Sequence, residues 1–87
     1  MSEVAPFDLV RQELGLSYRD FSATLGVPFS SVYNACRGLS VIPRKAQEAL
    51  KELGFAPEEL VARQREWLEE RAVARRQAIL EKRLGAA

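Results

Sequence analysis

An all-α fold of five helices is what this sequence predicts, and three observations carry the prediction. Glycine and proline cut the chain into five segments. Within the segments, apolar residues recur at intervals of three and four, the spacing of a helix that buries one face. The whole chain has only 87 residues, enough for one modest hydrophobic core.

The first helix is expected over residues 6–14. Pro6 suits the first helical position, Phe7, Val10 and Leu14 follow at helical spacing, and Gly15 offers a left-handed stop. Ser17 is a good N-cap with Asp20 three residues on, a variant of the capping box, and Phe21 pairs with Leu25 one turn later. That places a second helix at 18–25. Gly26 ends it, Val27 follows, and Pro28 begins a third helix running to Arg37, with Val32 and Ala35 inward and Gly38 at its end. After a loop holding Leu39 and Ile42, Pro43 starts a fourth helix with Ala46, Ala49, Leu50 and Leu53 inward and Gly54 as its stop. Pro57 opens the fifth and longest helix, which is predicted to reach Leu84. Two parts result: residues 1–56 as the globular domain, and residues 57–87 as a long helix serving oligomerisation.

Composition narrows the function classes. Apolar residues make up 47% of the chain and charged residues 29%, which is ordinary globular usage and points to neither disorder nor a membrane protein. No apolar run nears the roughly 18 residues of a spanning helix. The opening Met1, Ser2 and Glu3 lack a basic stretch followed by an apolar one, so a cytoplasmic location is expected. With one cysteine, Cys36, and no histidine, no intrachain disulfide and no Cys/His zinc site are expected. The commonest general base is missing too, and no GxxxxGK[ST] phosphate loop occurs, so neither an enzyme nor a cofactor is expected. The net charge of +1 gives no general basic excess. Any contact with phosphate therefore has to come from locally placed charge.

Two short helices joined by a glycine-containing turn form the supersecondary pattern of a helix-turn-helix. Here Leu16-Ser17, Phe21, Leu25-Gly26-Val27, Ser30, Val32 and Arg37-Gly38 resemble the Cro and phage-repressor type of that motif, the xenobiotic-response-element family. The resemblance runs from Phe7 to Val61 and takes in Ile42-Pro43 and the stretch from Leu50 to Gly54, which look like the family's fourth helix. It implies a lambda-repressor-like domain whose third helix enters the major groove of double-stranded DNA. The implied base-reading residues are Phe29, Ser30, Tyr33 and Asn34. Asn34 is the strongest of these, since an amide can bond adenine N6 and N7 together. The implied phosphate contacts are Tyr18, Arg19, Ser31, Arg37, Arg44 and Lys45. Other uses stay open: Phe29 as a core or interface aromatic, Asn34 as a solvated residue, Arg44 and Lys45 as ordinary first-turn charges, and Tyr33 divided between core and DNA. The chain departs from the family twice. Pro28 stands where a capping Ser or Thr is common, and Cys36 stands where many relatives carry a glutamate paired with an arginine of the first helix. Arg11 is then left for DNA, or for an acid such as Asp8 or Glu13, and Cys36 reads as a small half-buried residue rather than a redox centre.

The fifth helix is longer than so small a domain can cover. Leu60 and Val61 are expected to cap the core, and beyond them Trp67, Leu68, Ala72 and Ile79 form an apolar stripe read as a homodimer interface with Trp67 as its anchor. Its charges segregate, with Glu58, Glu59, Glu66, Glu69 and Glu70 ahead of Arg71, Arg75, Arg76, Lys82 and Arg83. That order suits the helix dipole, an antiparallel pair of helices, or a basic tail on DNA phosphate. The expected function is a sequence-specific transcriptional regulator, a dimeric repressor of phage or mobile-element type. Its alternatives are the DNA-recognition subunit of a viral packaging complex and a helical protein-interaction adaptor.

Overall fold

The computed structural model describes residues 4–85. Met1, Ser2 and Glu3, on which the expected location rests, and the outermost residues of the two expected parts, 1–3 and 86–87, lie outside the described residues. The rest is all-helical: α1 (Pro6–Leu14), α2 (Tyr18–Leu25), α3 (Phe29–Cys36), α4 (Arg44–Glu52) and α5 (Pro57–Leu84). Among the described residues no helix is long and apolar enough to cross a membrane.

The helix boundaries follow local chemistry. Pro6 and Pro57 occupy the first turns of α1 and α5, as expected. Ser17 caps α2 by accepting the amide of Asp20 at 3.1 Å. Pro28 and Pro43 depart from expectation by one residue. Both have extended backbones, with ψ of 142° and 144°, and serve as N-caps rather than first helical residues. The carbonyl of a cap residue accepts the first helical bond, and Pro28 does so from the amides of Ser31 and Val32.

The core is built from one face of each helix. Phe7, Phe21, Val32, Ala35, Ala46 and Leu50 are fully buried, joined by Leu25, Val27, Ile42 and Leu60. The rings of Phe7 and Phe21 meet at 5.0 Å between centroids, locking α1 to α2. In turn α1 packs on α3 and α5, α2 on α3 and α4, and α4 on α5. Leu53, expected inward, is 47% exposed. It lies past the last turn of α4, and the chain there folds back so that the Phe55 amide reaches the Leu50 carbonyl at 3.0 Å. Phe55 thereby takes the place against the core that Leu53 was expected to fill.

The core does not stop at residue 56, where the sequence places the end of the globular part. Leu60, Gln64 and Trp67 of α5 are all buried. Gln64 is the polar centre of this packing: its Oε1 accepts the Phe7 amide at 3.1 Å and its Nε2 donates to the Ala35 carbonyl at 2.9 Å. The Phe7 amide lies in the first turn of α1, where no helical partner exists, so Gln64 satisfies a donor that burial would otherwise orphan. Trp67, expected to anchor a dimer, is instead 6% exposed within its own chain and covers Gly38. Leu68 is half-buried, and of the expected interface only Ala72 and Ile79 stand exposed. From Glu69 to Gly85 every residue is exposed, so the last four turns of α5 leave the globular unit. The molecule measures 53 × 23 × 20 Å.

Candidate nucleic-acid interface

The site is built on the corner between α2 and α3. Gly26 has a φ of 67°, a left-handed conformation that would strain a residue with a Cβ. It turns the chain so that Val27 is buried at the elbow. The Ser22 hydroxyl donates to the Val27 carbonyl and the Val27 amide returns to the Ser22 carbonyl, which fixes the corner to α2. From there α3 turns Val32, Ala35 and Cys36 inward. Ala35 has no exposed surface and its carbonyl meets Gln64, so a larger side chain would part α3 from α5.

Of the four expected base readers, Phe29, Ser30 and Asn34 are exposed, whereas Tyr33 is half-buried. Among the described residues the Asn34 side-chain amide has no hydrogen-bond partner. Both of its polar groups therefore remain free to meet a ligand. Arg37 is exposed at the end of α3, and Ser31 is half-buried. Arg19 on α2 and Arg44 and Lys45 at the start of α4 are exposed, and none is ion-paired among the described residues.

The structure also brings together residues whose grouping the sequence did not reveal. The Tyr33 ring lies between Phe29, stacked nearly parallel at 5.8 Å, and Tyr18, edge-on at 5.2 Å. Arg37 sits 5.7 Å above the Tyr33 ring and donates to its hydroxyl at 3.4 Å. Arg11 covers Tyr18 at 4.2 Å. The ring of Tyr18 packs between Arg11 and Tyr33 and so links α1 to α3, while Phe29 is held in place by a stacked neighbour despite being 46% exposed. The one signal in the sequence was the spacing of Phe29, Tyr33 and Arg37 four apart on one helix.

The missing partner of Arg11 is Asp8. Arg11 Nε donates to Asp8 Oδ1 at 2.6 Å, and Nη1 donates to the Leu16 carbonyl at 2.8 Å, which joins α1 to the entry of α2. The hydrogen bond to Asp8 raises the Arg11 pKa, so this guanidinium stays charged and engaged. Of the two uses expected for Arg11, the structure shows the pairing with an acid, and Asp8 is that acid. Cys36 is buried beside the pair, and its thiol is pushed up to about 12, mainly by burial and then by the Asp8 charge. A thiol so held is protonated at neutral pH and a poor nucleophile. Compared with protein families, curated proteins and solved structures, the chain matches none.

Proposed function

We propose that this protein is a sequence-specific double-stranded DNA-binding regulator of transcription, a dimeric repressor, with α3 as its reading helix. The observation that carries the proposal is the outer face of α3. It presents Phe29, Ser30, Asn34 and Arg37 to solvent while Val32, Ala35 and Cys36 fix the opposite face in the core. A helix is narrow enough for the major groove, about 12 Å wide, where base edges differ in their donors and acceptors. Asn34 would read adenine, Ser30 any base edge, and Phe29, braced by Tyr33, a thymine methyl. Arg37, Arg19, Arg44 and Lys45 would hold phosphate, with Ser31 as a minor contact.

Two-fold pairing of such domains sets reading helices about 34 Å apart, one turn of DNA. The exposed apolar residues of α5, Val73, Ile79, Leu80 and Leu84, support pairing through its distal half. Pairing there takes the place of an interface centred on Trp67.

Fluorescence anisotropy of a labelled duplex titrated with the full chain tests the proposal. Affinity is expected to fall linearly with salt on logarithmic axes, and replacing Arg44 and Lys45 with alanine should flatten the slope by about 0.9 for each phosphate no longer neutralised. Absence of duplex binding at about 50 mM salt, where phosphate-driven binding is strong, would contradict it.

A further inference from the structure

Charge is divided unevenly along the chain. Residues 1–70 hold 8 Lys and Arg against 11 Asp and Glu, whereas residues 71–87 hold 5 against 1. The net charges are −3 and +4 over segments that together make up the chain's +1. The basic excess of a chain proposed to bind DNA therefore lies wholly in the distal part of α5.

The helix dipole accounts for Lys82 and Arg83, which lie in the last turn of α5, but ordinary uses of helix-surface charge do not explain Arg71 and Arg75. None of Arg71, Arg75, Arg76, Lys82 and Arg83 has an acid three or four residues away on either side, and none is ion-paired among the described residues. Arg71 and Arg75 stand four apart, an arrangement of like charges that weakens an isolated helix. Both also lie well before the last turn, outside the reach of the helix dipole.

Their placement is ordered. At about 100° per residue, Arg71, Arg75 and Lys82 fall within an arc of about 40° and continue the line that buries Leu60, Gln64 and Trp67. Val73, Leu80 and Leu84 lie on the opposite side. The basic line also begins at the end of α3: the Arg71 guanidinium rests 4.7 Å from the centre of the Trp67 ring, Trp67 covers Gly38, and Gly38 follows Arg37. From Arg71 to Lys82 the line spans about 16 Å, a length over which a duplex carries about ten phosphates.

We propose that the distal half of α5 is a phosphate-tracking arm, in which Arg71, Arg75 and Lys82 lie along the backbone of the duplex that α3 reads. The inference rests on the DNA-binding reading. The arm carries no sequence information and supplies affinity to any duplex, and it leaves the opposite side of α5 free for the second copy.

The test uses the full chain with a random-sequence duplex of about three helical turns, titrated across NaCl concentrations. The variants are Arg71→Gln/Arg75→Gln/Lys82→Gln and the double Arg75→Gln/Lys82→Gln, which keeps the Arg71 contact with Trp67. Helix content and sedimentation mass are followed alongside. The triple variant is expected to bind at least about tenfold more weakly at about 0.1 M salt, with a slope shallower by about 2 to 3, and the double variant by about 2. Mass and helix content should stay at the wild-type values. Wild-type binding with unchanged affinity and slope in both variants would overturn the arm alone. A fall in mass accompanying the weaker binding would also overturn it, because the stripe would then join copies of the chain. Failure of the wild type to bind any duplex would overturn the arm together with the DNA-binding reading.

Discussion

The Trp67 indole closes over Gly38 so tightly that a Cβ placed on that glycine would lie 2.2 Å from Cζ3 and 2.5 Å from Cη2 of the ring. Gly38 also has a φ of 74°, so it meets two demands at once: a left-handed backbone at the end of α3 and room for the ring that anchors α5. Gly38→Ala is expected to destabilise the fold by about 2–4 kcal/mol, combining backbone strain with overpacking. Trp67→Ala should cost about 3–5 kcal/mol by leaving a cavity. Urea unfolding of both variants is the check. A Trp67→Ala variant that kept wild-type stability but fell in oligomer mass would return Trp67 to the interface that the sequence suggested.

Gln64→Leu keeps most of the volume but strips both hydrogen bonds. The Ala35 carbonyl still accepts the Gly38 amide at 3.2 Å, so the larger cost falls on the Phe7 amide, left buried without a partner. A destabilisation of about 1–3 kcal/mol is expected. Hydrogen exchange at Phe7 should accelerate selectively, and protection equal to that of the wild type would show that the bond contributes nothing.

Truncation separates the two halves of α5. A chain ending at Glu70 keeps Leu60, Gln64 and Trp67 and should remain folded with a cooperative transition. A chain ending at Glu59 lacks all three and should retain little cooperative structure at room temperature. Circular dichroism melts of the two chains give the comparison, and equal melting would mean that α5 is not part of the core.

Cys36 makes stability depend on alkaline pH. Its folded-state pKa, about 12, lies above the ordinary thiol value near 9, so its contribution is complete below about pH 9 and is lost as pH rises toward 12. Wild-type protein should therefore lose more stability between about pH 8 and pH 10.5 than Cys36→Ala does over the same interval. Parallel losses in the two proteins would refute the linkage.

All five helices were legible in the sequence because their signals are local. Gly15, Gly26, Gly38 and Gly54 mark stops, Ser17 marks a cap, and Phe21 with Leu25 marks a buried face. The one-residue shifts at Pro28 and Pro43 arose because proline fits either the cap or the first turn. What stayed hidden depends on contacts between distant residues. Gln64 and Phe7 stand 57 positions apart. Gln64 did lie on the same stripe as Leu60 and Trp67, and a polar residue on a core-facing line was the clue. Trp67 pointed to an interface because the length of α5, read alone, conceals that its first three turns close the core. The aromatic group joining Tyr18, Tyr33 and Phe29 spans two helices, so the periodicity of neither helix reveals it.

Base reading by Asn34 is tested most directly by selecting duplexes from a random library with the full chain, then comparing wild type and Asn34→Ala on the recovered sequence and on random DNA. The expected result is a defined site, arranged as an inverted repeat, for which Asn34→Ala loses about 1–3 kcal/mol while its binding to random DNA is unchanged. A recovered pool as varied as the starting library, or equal losses on both duplexes, would contradict α3 as the reading helix.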